Sequence, residues 1–278
     1  MDTPQCLSLR DTQIVYLELM RELDAVCRDN GLRYDLAGGS LLGAVRHKGF
    51  IPWDNDIDIN MPRPDYEKLL RMAQDGTLKL PPHRQVVMDR DRTFPRHYAR
   101  YVRHDVLRVP EMAEQWDCPY IGIDIFPIDG LPQDDGAFRR QVWQVSQLRR
   151  FLLTSVERPN TSRRGKVAAK VKNLYRPILR KIGPYRMAAA LDAACARVDY
   201  DTAEFVGGIS GMYGLRERWR KSDMLPQIQV EFEGMRLPAY ANYDIYLSNL
   251  YGDYRKLPPV EKQVPHCDPC YRVELDKE

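Results

Sequence analysis

The sequence predicts an α+β fold in which a mixed sheet is flanked by helices and carries a helical basic insertion. Three observations lead there. Short segments with strand-like alternation crowd the first half of the chain, whereas segments with helical periodicity fill most of the second. The composition, 44% hydrophobic and 29% charged, is that of a globular protein, and 278 residues suffice to bury a substantial core. No run of about 18 apolar residues occurs, so no membrane-spanning helix is expected.

A first helix is read over residues 11–29, where Ile14, Val15, Leu17, Leu19, Leu23 and Val26 form an apolar face, with Asp11 as N-cap and Asn30-Gly31 as the stop. A short strand at 33–37, a Gly38-Gly39 turn and a helix over 40–46 ended by Lys48-Gly49 follow. Residues 56–60 alternate acidic and apolar side chains as a strand does, and Pro64 suits the first turn of a helix reaching about residue 72. Further strands are expected at 85–88, 98–109 and 120–126. Helices are expected at 135–157 and 184–198 with the basic segment between them, then a strand at 228–237 and a helix at 242–250 that Gly252 caps. This divides the chain into a catalytic core (1–134), a helical region with the basic arm (135–200) and a C-terminal part that completes the catalytic domain (201–278).

The formal net charge of +3 hides a division. Between residues 149 and 186 twelve basic residues stand against Glu157 alone, which leaves an acidic excess on the rest of the chain. Val167, Val171, Leu174 and Ile178 recur at helical spacing among those cations, and Pro177 is expected to end or kink their helix near Arg176. Such a helix suits an anionic membrane surface or lipid phosphate, each nearby cation contributing about 1 kcal/mol. The alternative is a solvated helix that covers the core with its apolar stripe. Nucleic acid is not an expected partner, because the arm lacks aromatics interleaved as stacking platforms and the remaining surface is acidic. The N-terminal residues contain no basic-then-apolar leader, so a cytoplasmic location is expected, peripheral at the inner face of the membrane if the arm meets lipid. The six scattered cysteines are expected to be free thiols, with Cys118 and Cys195 as small buried hydrophobes. One CxxC, His266-Cys267-Asp268-Pro269-Cys270, has no second pair, so zinc is not expected.

Chemistry concentrates in residues 53–59, WDNDIDI. On an extended backbone Asp54, Asp56 and Asp58 project to one side, with Ile57 and Ile59 packing on the other. Three like charges repel unless a cation is present, and carboxylate oxygens suit a hard divalent ion. Asp124, alone among apolar residues in IGIDIFPID, is the natural partner of this cluster, whereas Asp129 reads as part of a turn. Upstream, Gly38, Gly39 and Ser40 lie between strand and helix, where backbone amides can approach a phosphate. Arg46, His47 and Lys48 follow as further phosphate contacts.

The run AGGSLLGAVRHKGFIPWDNDIDINMPRPDYEKLL (37–70) closely resembles the LicD family, which includes the fukutin-related proteins and belongs to the polymerase-beta-like nucleotidyltransferase superfamily. Residues 123–129 and 232–259, with His266 after them, resemble later blocks of the same family. The resemblance implies a polymerase-beta-like mixed sheet, Gly39 and Ser40 as the nucleotide-side turn, Asp56 and Asp58 as a metal pair, Asp124 as the third carboxylate, and Asp54 within the acidic run. It implies phosphocholine transfer from CDP-choline to a hydroxyl of a glycan precursor, free or lipid-linked, as in teichoic acid or lipopolysaccharide biosynthesis. CMP would be released, with two magnesium or manganese ions bound. Asp124 or Asp54 would take the proton, and Arg46 and Lys48 would steady the phosphate. Phosphoribitol or another CDP-linked phospho-alcohol, nucleotidyl transfer, and a non-catalytic glycan- or lipid-binding role stay open as alternatives. Choline, a quaternary ammonium, calls for aromatic faces, for which Trp53, Tyr34, Tyr98, Tyr101, Trp116 and Tyr120 are candidates. Tyr251 and Asp253, in the later block, are candidates for the donor or acceptor pocket.

Overall fold

The structure, a computed structural model, describes residues 6–109, 118–156, 166–265 and 268–275. Trp116, Arg158, Arg163, Arg164, His266 and Cys267 lie outside these, as do the side chains of Val167 and Val171.

Helix α1 (Leu9–Asp29) is capped by Ser8, whose Oγ accepts the Asp11 amide at 3.1 Å while the Ser8 amide donates to Asp11 Oδ2 at 3.2 Å. Asp11, read from sequence as the N-cap, is instead the reciprocal partner inside the first turn. Then come β1 (Asp35–Leu36), α2 (Gly38–His47), β2 (Asp58–Pro62), α3 (Arg63–Gln74) and β3 (Arg84–Val87). Gly38 and Gly39 make no separate turn: α2 starts at Gly38, with Ala37 extended before it, and ends on Lys48 at φ 57°. Strand β2 begins at Asp58, so Asp54 and Asp56 belong to the irregular approach to the strand.

Strands β4 (Ala99–Arg108) and β5 (Tyr120–Leu131) are the longest. Because β5 runs to Leu131, Asp129 lies in a strand and is buried, not in the expected turn. The second half contains α4 (Asp135–Val156), α5 (Lys166–Ile182), α6 (Pro184–Cys195), β6 (Phe205–Gly207), β7 (Trp219–Arg220) and α7 (Lys221–Met224). Next are β8 (Ile228–Phe232), β9 (Met235–Ala239), α8 (Tyr243–Tyr251) and β10 (Cys270–Arg272). Of the end or kink expected at Pro177 the structure excludes the end: helix α5 continues through it, and Leu179 beyond it is buried among residues of α4 and α6 and holds the last turn. The single strand expected at 228–237 is a hairpin, turned by Glu233 and Gly234, both at positive φ.

Among the described residues the fold is α+β, with one eight-stranded mixed sheet whose path is β1-β2-β5-β4-β10. β2 and β5 are parallel, with Asp58 opposite Asp124; β5 and β4 are antiparallel, with Arg100 opposite Asp124. β3 and β10 share the other edge of β4, and β6 pairs with the end of β5. The main core lies between the sheet and α1, α2, α3 and α8; a second packs Phe138, Val145, Leu152, Leu179 and Leu191 between α4, α5 and α6. No described helix is long and apolar enough to cross a membrane.

Candidate active site

The acidic cluster forms where the approach to β2 meets β5. Parallel register makes Asp58 and Asp124 neighbours, and Asp54 and Asp56 share a hydrogen bond beside them. Removal from bulk water, then the charges of Asp54 and Asp124, push the Asp56 carboxyl up to about 7, although the residue is exposed. Burial, then Asp56, Asp124 and Asp54, raise Asp58 in the same direction. Repulsion is the part of these shifts that survives exposure. Ser40 fixes the register, its Oγ accepting the Asp58 amide at 2.9 Å. An added Cβ at Gly39 would stand 2.9 Å from Asp54 Oδ2, so a side chain there would displace that carboxylate.

By charge and by atom type Asp54, Asp56 and Asp58 fit a hard divalent cation. Among the described residues, though, no three His, Cys, Asp or Glu side chains are arranged to grip an ion as they stand. Asp124 is the exception within the cluster, because the buried Arg100 guanidinium engages both its oxygens, at 2.5 and 3.2 Å.

A cavity of about 330 Å³ opens beside Asp58. The N-terminus of α2 (Gly38, Gly39) and Asn60 form one wall, and Arg96, His97, Tyr98 and Phe126 another. Arg149, Leu152 and Leu153 of α4, the loop from Gly208 to Tyr213, Glu217, and Tyr246 and Tyr251 of α8 complete it. All three regions read from the sequence therefore contribute to one site. Tyr246 Oη accepts the Gly38 amide at 3.0 Å and the Asn60 side-chain amide at 3.2 Å, tying α8 to the helix N-terminus. Tyr213 and Tyr251 meet edge to face at 5.5 Å. Burial pushes the Glu217 carboxyl up to about 8, against the lowering effect of the Tyr213 amide and then Arg149. Burial, then Arg149 and Arg96, push His97 down to about 3, so it is neutral.

Several expected site residues lie elsewhere. Arg46, His47 and Lys48 are at the far end of α2, about 12–15 Å along the helix from Gly38. Arg46 donates to the carbonyls of Tyr254 and Lys256 and to His47, and Lys48 pairs with Glu231 at 3.4 Å. These contacts fasten the C-terminal segment and the hairpin. Tyr34 and Tyr101 are core residues whose hydroxyls donate to Asp24 and Glu22, and Trp53 packs partly buried against the main core. Tyr120 stacks near His104, and Asp253 is exposed and paired with Lys256 at 3.0 Å. Asp129 is held by Arg63 through two hydrogen bonds of 2.6 and 3.0 Å and is structural. Cys118, Cys195 and Cys270 are buried, Cys270 within β10. Of the aromatic candidates, Tyr98 and Tyr251 line the cavity. Sequence reasoning missed Arg96, His97, Phe126, Arg149, Tyr213, Glu217 and Tyr246; of these, Phe126 and Tyr246 carried a signal, each lying in a family-like block.

Residues 31–157 match the family model described as LicD/FKTN/FKRP, nucleotidyltransferase domain. Over 94% of its length the chain is 29% identical to the lipopolysaccharide cholinephosphotransferase LicD of Haemophilus influenzae, covering 96% of that protein. It is also 40% identical over 80 residues to the ribitol 5-phosphate transferase FKRP of Homo sapiens and Mus musculus, a match spanning 27% of this chain and 15% of theirs. A family-model match across the acidic cluster and a relative aligned over nearly the whole chain bear out the resemblance to the LicD family.

Proposed function

We propose that the protein transfers phosphocholine from CDP-choline to a hydroxyl of a cell-surface glycan precursor, releasing CMP. The observation that carries this reading is the cavity beside Asp58, where Tyr98, Phe126, Tyr213, Tyr246 and Tyr251 surround a space that also contains the Glu217 carboxyl. A quaternary ammonium has no hydrogen to donate, so aromatic faces and a carboxylate are the groups that suit it. The full-length similarity to a cholinephosphotransferase agrees with that choice, whereas similarity to the ribitol 5-phosphate transferase is confined to a shorter stretch.

In this reading the donor pyrophosphate lies at the N-terminus of α2, where the Gly38–Ser40 backbone can approach it and the helix dipole favours negative charge. Asp56 and Asp58, with Asp54 beside them, would hold a magnesium or manganese ion, which would offset pyrophosphate charge and acidify a nearby hydroxyl. The acceptor oxygen forms a bond to the choline-bearing phosphorus, and the bond from that phosphorus to the oxygen of CMP breaks. The hydroxyl proton passes to Asp54 or Asp124, and Arg100 keeps Asp124 oriented. Glu217 and the tyrosines orient the alcohol so that the phosphorus is presented in line.

The test is CMP release from CDP-choline with magnesium and a panel of glycan acceptors. Wild type is expected to release CMP, and Asp56→Asn/Asp58→Asn to be slower by about a thousandfold or more. Release from CDP-ribitol alone replaces the alcohol, and pyrophosphate from a nucleoside triphosphate replaces the reaction. No turnover of any donor, together with thermal stability indifferent to magnesium, would favour a non-catalytic binding protein.

A further inference from the structure

Helix α5 has two apolar faces, and its neighbours use one of them. Leu179 is buried and Tyr175 half-buried against α4 and α6, with the Phe151 and Tyr175 rings 6.2 Å apart. Leu174, Ile178 and Ile182, successive at four-residue steps, are 81%, 64% and 45% exposed. They form a solvent-facing ridge that the alternative of a core-covering stripe does not explain. Lys166, Lys170, Lys172, Arg176, Arg180 and Lys181 lie on the same helix, which has no acidic residue. Lys181, beside the ridge, is exposed, whereas Arg176 is buried.

We infer that α5 is an in-plane anchor on an anionic phospholipid surface: Leu174, Ile178 and Ile182 enter the acyl boundary and the flanking cations meet lipid phosphates. Two independent properties select this occupant. The ridge is apolar and unpartnered in the described chain, and the charge on its helix is uniformly positive, complementary to an acidic bilayer. Uniform positive charge also disfavours pairing two copies of the ridge face to face. The anchor sits behind the site, because Leu152 both lines the cavity and packs in the cluster that holds Leu179. An acceptor carried in the membrane would thus meet a protein already at its depth. The inference does not depend on which alcohol or donor the site takes.

The experiment is sedimentation of the full chain with vesicles of phosphatidylcholine alone or with a third of phosphatidylglycerol. Wild type should pellet with the acidic vesicles, remain in solution with the neutral ones, and be released by raised salt. Leu174→Ser/Ile178→Ser/Ile182→Ser and Lys170→Gln/Lys172→Gln/Lys181→Gln should each lower partitioning about tenfold or more. Circular dichroism and thermal unfolding must match wild type, and if a triple variant unfolds, the single Ile178→Ser replaces it with a smaller loss expected. Equal partitioning of wild type and folded variants would overturn the inference. So would a stable dimer in light scattering that the serine variant dissociates, since the ridge would then cover a second copy.

Discussion

Glu217 couples protonation to both stability and ligand choice. Its carboxyl is raised from an ordinary 4.5 to about 8, chiefly by burial. The folded protein therefore retains a proton that the unfolded chain releases, so this contribution to stability is present below about pH 4.5 and is lost as pH rises towards 8. Glu217→Gln, neutral at every pH, should remove that slope and unfold at higher denaturant than wild type above about pH 8. Denaturant titrations at about pH 5 and above pH 8 provide the measurement; parallel curves for the two proteins would reject the assignment. A quaternary ammonium in the cavity favours the ionised carboxylate. CDP-choline should therefore stabilise wild type more than the glutamine variant at neutral pH, and a thermal-shift titration reads this directly.

Helix α2 shows how an element divides two jobs between its ends. Gly38 and Gly39 face the cluster, while Arg46 and Lys48 hold the hairpin and the C-terminal segment. Gly39→Ala should lower kcat at least about tenfold, with little change in melting temperature, because its methyl meets Asp54 Oδ2. Lys48→Ala, whose partner is a surface glutamate, should leave kcat within about twofold of wild type. Steady-state kinetics of the pair separates the two ends. The placement of strands and helices in the first half was legible because each carries a period of its own, and Asp58 and Asp124 stood out as carboxylates in otherwise apolar strands. The roles of Arg46, Tyr34 and Tyr101 were not legible. Their residue types suit a phosphate or a choline cage, but direction depends on which neighbour lies above them. Glu217 and Arg149 were hidden for a different reason: they reach the cavity from segments brought together only by tertiary packing. The hairpin was missed because Glu-Gly is a weaker turn signal than Asn-Gly or Asp-Gly.

At the scale of the whole molecule, Arg63 joins three layers. From the start of α3 it reaches Asp129 of β5 at 2.6 Å and Asp192 of α6 at 2.8 Å, and it is nearly buried. Arg63→Ala strands the buried Asp129 carboxylate and should cost about 3–5 kcal/mol, read by denaturant unfolding at neutral pH. A loss below about 1 kcal/mol would show that the helical layer is fastened chiefly by its apolar cluster. The parallel pairing of β2 with β5 has a kinetic side. These strands are separated in sequence by α3, β3 and β4, so the contact that sets Asp58 beside Asp124 is among the most non-local in the first half of the chain. Among the strand pairings of the first half this one closes the longest loop, whose entropy must be met before the pairing gives anything back. During refolding the helices should report their far-ultraviolet signal early, and the carboxylates should converge last, leaving a collapsed, helix-rich intermediate with no acidic site.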